Sequence, residues 1–407
     1  MPKVNKAPRP KVKTDSRNVK LFLERGIENF YPSDTAVEKV LGSGKKLKVY
    51  LGIDPTGPSL HMGHAIPLRK LGQLQALGHE VILLIGDFTA LIGDPTDKTA
   101  TRKKLTRKEV LSNCKNYKKQ ASRFLKFSEP NAAKLVFNSK WLGKMNFGDV
   151  VELAAHSTVQ QMLERDMFEK RMKEGSPIYL HEFLYPLMQG YDSVAMDVDM
   201  EIGGNDQTFN MLAGRTLLKE IKGKEKFVIT STLLEDSTGK KMGKTEGNMI
   251  TLEDKPEEMY GKVMSWTDGM IIPGFRLCTD VKVSAINRIE DLIKKGGNPV
   301  EYKHRLAKEV VTLFHSSKEA DKANAQFLKI HKSHEAPKDM PTLTVKKGMT
   351  LVDALVASKM VTSKSDARRQ ITQGGVKVDG KAVKDINAKV KKGSTIQKGK
   401  RHFVKLV

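Results

Sequence analysis

Two apolar stretches constrain this chain more than any other feature: Lys48-Val49-Tyr50-Leu51-Gly52-Ile53 and Val81-Ile82-Leu83-Leu84-Ile85. Neither alternates polar and apolar residues, so each reads as a strand covered on both faces, as in a parallel sheet. Between them lie the turn-rich Asp54-Pro55-Thr56-Gly57-Pro58-Ser59 and then Leu68, Leu71, Leu74 and Leu77 at helical spacing. Gly78 stops that helix. Residues 48–87 therefore form a βαβ unit, and the expected scaffold is a doubly wound α/β fold with its ligand at the carboxyl ends of the strands.

The chain has 407 residues, enough for two or three domains, because single cores stop growing at roughly 250–300 residues. Its net charge of +24 is concentrated: residues 342–407 hold 16 Lys plus Arg against 4 Asp, and residues 1–20 hold 7 against 1. Such a balance points to a polyanion, since Lys and Arg displace counterions from a phosphate backbone. No apolar run approaches the roughly 20 residues that span a bilayer, so a soluble protein without a membrane partner is expected, and two lone cysteines make a reducing cytoplasm its natural compartment. Cys114 and Cys278 lack CxxC spacing and support neither a zinc site nor a disulfide framework. Residues 1–20 lack an apolar signal core and read as a flexible basic arm, either partner-binding or merely solvated.

Further along, Ile286, Ile289, Leu292 and Ile293 share a helical face, Gly296-Gly297 breaks it, and Asn298-Pro299 starts a helix carrying Leu306, Val310 and Leu313. Residues 336–341, with two prolines, read as a linker. Thr350 with Asp353 and Ser363 with Asp366 fit helix starts, Gly374-Gly375 ends the second helix, and Val376 to Val378, Asp379-Gly380 and Lys381 to Val383 fit a hairpin.

His61-Met62-Gly63-His64 opens the helix after the first strand, placing two imidazoles one turn apart where a helix N-terminus attracts phosphate oxygens. Alone, H-x-x-H is more often a helix cap. Lys240-Lys241-Met242-Gly243-Lys244-Thr245 carries compact ammonium charges on a loop able to close over such phosphates, although a Lys-rich loop alone usually faces solvent.

Together these segments are specific. V-Y-L-G-I-D-P-T-G-P-S-L-H-M-G-H resembles the first signature of the class I aminoacyl-tRNA synthetases. K-M-G-K-T resembles a variant of the second, with Gly243 and Thr245 where Ser is common. I-G-D-P-T-D-K, Y-P-L-M-Q-G-Y-D and I-G-G-N-D-Q narrow the resemblance to bacterial-type tyrosyl-tRNA synthetases, and the final residues resemble the S4 RNA-binding domain.

The resemblance implies a tyrosine–tRNA ligase that uses ATP with Mg²⁺, holds no protein-bound metal, takes L-tyrosine and tRNA(Tyr) and forms a homodimer. It implies that His61, His64, Lys241, Lys244 and Thr245 act on the phosphates in the transition state. Thr56, Gly63, Lys98, Arg102, Gly204 and Asp206, with Lys244, would bind ATP. Tyr50 and Asp192 would hydrogen-bond the substrate phenol, Tyr185, Gln189 and Asp94 its ammonium group, and Gln207 would lie near its carbonyl. Such a pocket rejects phenylalanine because its own polar groups would be left unpaired; tyrosyl enzymes are the standard example. A tryptophan ligase shares both signatures, but Asp192 argues against it. Lys364, Arg368 and Arg369 would contact RNA.

The implied layout is a basic arm and leading segment (1–35), a Rossmann-like catalytic domain (36–235) and the KMGKT loop with a helical anticodon-binding-type domain (236–335). A linker (336–345) and a small α+β S4-like domain (346–407) follow.

Overall fold

The computed structural model describes residues 11–95, 105–235, 249–333, 340–345, 348–399 and 402–407. The chain divides into two compact units, Met1–Ser316 and Ser317–Val407.

Among the described residues the first unit holds a six-stranded sheet: β1 (Ile27–Tyr31), β2 (Lys48–Ile53), β3 (Glu80–Ile85), β4 (Lys134–Phe137), β5 (Met200–Gly204) and β6 (Phe227–Ser231). Their order is β1-β6-β5-β2-β3-β4. All neighbours are parallel except the edge strand β1, which runs antiparallel to β6. The expected βαβ unit is present: β2 and β3 pair from Lys48↔Glu80 to Ile53↔Ile85, joined through helix α1 (Met62–Ala76). Strand order reverses between β2 and β5, which opens a crevice at the carboxyl ends of those strands.

Two helices matter most for the site, α2 (Leu180–Met196) and α3 (Thr208–Lys222). They cross at a glycine pair. A Cβ on Gly190 would lie 3.0 Å from the Gly214 backbone nitrogen, so any larger residue would force the helices apart.

The basic-arm expectation for residues 1–20 does not extend through them. Lys13 N donates to Leu77 O at 2.8 Å, and Asp15 caps a helix, Ser16–Leu23, whose Val19 and Phe22 are buried. The density of lysines hid an apolar pair at i, i+3 that suffices to pin the segment. Residues 1–10 lie outside the described residues.

After residue 249 the first unit is helical, as expected. Asn298 accepts from Val300 N with Pro299 in the first turn, and Gly296 has a φ of +92°. The preceding helix, Val283–Lys294, buries Ile286 and Ile289 but leaves Leu292 41% exposed, a narrower apolar stripe than its spacing suggested.

In the second unit, Thr350 and Ser363 cap helices α4 (Leu351–Ala357) and α5 (Lys364–Thr372) as read from the sequence. Strands β8 (Val376–Val378) and β9 (Lys381–Ala382) form the hairpin, with Asp379 and Gly380 both at positive φ. The sheet is larger than the hairpin. It adds β7 (Thr342–Leu343), β10 (Thr395–Lys398) and β11 (His402–Leu406) in the order β7-β11-β10-β8-β9 over a core of Leu351, Leu355, Ile371 and Ile396.

Candidate active site

From Ile53 the chain turns through Asp54 to Ser59 and enters α1 at His61, the N-cap. His61 Nδ1 accepts from Gly63 N, and His64 Nδ1 accepts from His61 N, both at 3.2 Å. The ring centroids are 3.9 Å apart. Because each Nδ1 accepts, a neutral ring carries its proton on Nε2, the donor form that a phosphate oxygen needs. A Cβ on Gly63 would come within 3.0 Å of the His61 ring, so glycine serves the imidazole as well as any nucleotide above it.

Chain returning from the Lys-rich segment pairs with this helix start. Met62 N donates to Ile250 O and Leu252 N to Leu60 O, each at 2.9 Å. His61 also bridges to Thr251. Lys241, Lys244 and Thr245, and likewise Lys98 and Arg102, lie outside the described residues.

Asp54 gathers one side of the crevice: Tyr185 Oη donates to its Oδ2 at 2.9 Å and Thr89 Oγ1 to its Oδ1 at 2.7 Å. A second chain of contacts links three further expected residues. Gln207 Nε2 donates to Asp94 Oδ2 at 2.8 Å, while Asn210 Nδ2 donates to Gln207 Oε1 at 3.0 Å and to Gln189 Oε1 at 2.9 Å. At the end of β5, a Cβ on Gly204 would sit 2.5 Å from Asp206 Oδ1, so a larger residue would displace that carboxylate. Thr56 is exposed in the turn, its N donating to Asp54 O at 2.8 Å.

Asp192 on α2 is 2% exposed. Trp141 Nε1 donates to its Oδ1 at 2.8 Å and Asn138 Nδ2 to its Oδ2 at 3.3 Å. Burial pushes this carboxyl well above the usual carboxylate range, and the two donors pull it back. Tyr50 on β2 is fully buried, with its hydroxyl 2.9 Å from Ser193 Oγ. Burial raises its phenol well above the ordinary value, with Glu201 and Asp192 adding to the effect.

Asp54, Asn138, Trp141, Ser193 and Asn210 escaped the sequence reading. Asp54 lies inside the D-P-T turn and Asn210 one turn beyond Gln207, so both could have been found there. Asn138-Ser139-Lys140-Trp141 carries no local pattern, and only β4 brings it beside α2.

In the second unit, Lys364 and Arg369 make exposed ion pairs with Asp353 (2.9 Å) and Asp366 (2.6 Å), and Arg368 is exposed on the same helix.

Residues 43–332 match the family model of class I tRNA synthetases (W and Y), and residues 332–405 match the tyrosine–tRNA ligase SYY-like C-terminal domain. The chain is 45% identical to the tyrosine–tRNA ligase of Carboxydothermus hydrogenoformans, over 95% of this chain and 97% of that protein. It is 44% identical to that of Thermotoga maritima, over 97% and 98%. A solved C-terminally truncated mitochondrial tyrosyl-tRNA synthetase from Aspergillus nidulans superposes with a TM-score of 0.65 at 25% identity, covering 77% of this chain and 94% of that one. The Archaeoglobus fulgidus tyrosyl-tRNA synthetase, solved with L-tyrosine, shares the fold at a TM-score of 0.60 and 22% identity, covering 76% and 99%.

Proposed function

The chain belongs to the tyrosine–tRNA ligases, class I aminoacyl-tRNA synthetases, and from that premise we propose which of its residues carry each step. The reaction joins tyrosine to tRNA at the expense of ATP. The tyrosine carboxylate attacks the α-phosphorus, pyrophosphate leaves, and the terminal ribose hydroxyl of tRNA then attacks the activated carbonyl, releasing AMP. No general base is needed for the first step, so orientation and charge stabilisation supply the catalysis.

In this reading His61 and His64 donate from Nε2 to phosphate oxygens at the N-terminus of α1, and Gly63 admits the nucleotide. Lys241, Lys244 and Thr245 act on the departing pyrophosphate, with Lys98 and Arg102 assisting. Gly204 and Asp206 receive the ribose, and Thr56 lies at the phosphate end. Asp94, Tyr185 and Gln189 hold the substrate ammonium, Gln207 faces its carbonyl, and Tyr50 with Asp192 receives the phenol. Mg²⁺ would accompany ATP with phosphate and water as ligands; among the described residues no group of three or more His, Cys, Asp or Glu offers a cage of its own.

The observation that carries the tyrosine assignment is Asp192, a buried carboxylate anchored from behind by Trp141 and Asn138. A phenol donates to it; an indole of different shape or a phenyl ring leaves it stranded. Tyrosine-dependent ATP–pyrophosphate exchange without tRNA tests the reading. Exchange with tryptophan alone, or none from folded protein, overturns it.

The same proposal includes RNA contacts at Lys364, Arg368 and Arg369, the domain order set out from the sequence with the final domain beginning at β7 rather than after residue 345, and a cytoplasmic location. Among the described residues no helix is long and apolar enough to cross a membrane. It also includes a homodimer. Phe147 (83% exposed), Val159 (63%) and Leu180 (80%) stand out at the starts of three helices of the first unit, an apolar exposure that a second copy would cover. Sedimentation at the mass of a single 45.4 kDa chain would exclude it.

A further inference from the structure

Lys226 is a lysine with no exposed surface, an arrangement that persists only with partners. It precedes β6, and register places it on the sheet face shared by Val228, Glu201 and Tyr50, through Glu201↔Val228 and Tyr50↔Glu201. Its Nζ donates to Glu201, itself 3% exposed, and to Ser193 Oγ at 2.8 Å. Ser193 Oγ in turn lies 2.9 Å from Tyr50 Oη.

The glycine crossing makes room for this. A Cβ on Gly214 would lie 2.7 Å from Lys226 Nζ and 3.0 Å from Ser193 Oγ. The slot between α2 and α3 is therefore shaped around an ammonium head.

An ammonium only donates. Having accepted from Lys226, Ser193 Oγ is polarised to send its own proton to Tyr50 Oη. Glu201 competes with an oxygen in the pocket for the Tyr50 proton and already hydrogen-bonds that hydroxyl; Lys226 shares the carboxylate and limits its hold. Remove the lysine and the carboxylate captures Tyr50.

We propose that the buried Lys226–Glu201 pair, acting through Ser193, positions the Tyr50 hydroxyl and so sets how strongly the pocket separates tyrosine from phenylalanine. This rests on the assignment of Tyr50 to the substrate phenol. Lys226, Glu201 and Ser193 are positioning residues, not catalytic ones. Burial pulls the Lys226 ammonium below its usual value and Glu201 restores part of it, consistent with a cation whose charge depends on this partner.

The test measures pyrophosphate exchange with tyrosine and with phenylalanine for the full chain and for Ser193→Ala, Tyr50→Phe, Ser193→Ala/Tyr50→Phe and Lys226→Met/Glu201→Leu. The last removes the ion pair as a unit, which folds more readily than either half alone. The ratio of kcat/KM for the two amino acids should fall about tenfold in Ser193→Ala, through the tyrosine KM rather than kcat. It should fall similarly in the ion-pair variant, and no further when Tyr50→Phe is added to Ser193→Ala. A structural role alone would lower both activities together and leave the ratio unchanged, which overturns the proposal. If Tyr50→Phe lowers the ratio and Ser193→Ala does not, the positioning role falls while the tyrosine pocket stands. If Tyr50→Phe itself leaves the ratio unchanged, the pocket assignment fails and this inference with it.

Discussion

Trp141 Nε1 points at Asp192 Oδ1 across 2.8 Å, joining the short helix that follows β4 to the C-terminal part of α2. An indole in this position supplies a donor without adding charge. The carboxyl is thereby oriented and its charged form favoured against the cost of burial, leaving it able to accept from a phenol.

Trp141→Phe keeps most of the volume and deletes the donor. Hydrogen bonds to charged groups contribute about 1.5–3 kcal/mol, so the tyrosine KM should rise roughly tenfold to a hundredfold, with phenylalanine activation little changed. Steady-state exchange kinetics check this; an unaltered tyrosine KM would remove Asp192 from the phenol site.

His61 caps α1, and the proposed function also gives its Nε2 to a phosphate oxygen. His61→Asn retains a good N-cap while losing Nε2, so unfolding free energy should stay within about 0.5 kcal/mol of the parent. The rate of adenylate formation should drop by roughly 10²-fold. Stopped-flow fluorescence of a single turnover separates this from a change in tyrosine affinity, which should not occur.

His79 links pH to stability. Burial, and secondarily Lys46, holds its imidazole down at about 4, against 6.5 for an unperturbed ring, and its Nδ1 accepts from Leu47 N at 3.2 Å. The unfolded chain therefore binds the extra proton between pH 6.5 and 4. The stability from a neutral His79 is complete above 6.5 and is lost as pH falls through about 4, roughly 3 kcal/mol in all. Urea denaturation at pH 7 and pH 4.5 should show this fall, and His79→Gln, whose amide oxygen can accept from Leu47 N, should flatten it. Equal slopes in the two proteins would exclude His79 as the source.

Arg368 is exposed on α5. Arg368→Ala should weaken tRNA binding and reduce the slope of log K against log salt by about one. Filter binding across a salt series measures both. An unchanged slope would place the phosphate contacts elsewhere.

The parallel sheet and the imidazole pair were legible because each rests on contiguous residues: unbroken apolar strands, a turn, and an H-x-x-H at a helix start. Helix caps at Asn298, Thr350 and Ser363 were legible for the same reason. The side chains that hold Asp192 and Ser193 in place were not. Asn138 and Trp141 reach Asp192 from 54 and 51 residues away, and Lys226 reaches Ser193 from 33. Nothing local distinguishes Lys226 from the solvated lysines around it at Lys222 and Lys224. Two further strands were missed for a related reason: β1 and β11 are short, carry charged or polar residues, and acquire their identity from the neighbours they pair with.

The pairing of Ile250 and Leu252 with Met62 and Leu60 fixes where the chain re-enters beside the two histidines. A shift of the helix start therefore cannot leave Ile250 and Leu252 behind without breaking two backbone hydrogen bonds, so the two segments move as one.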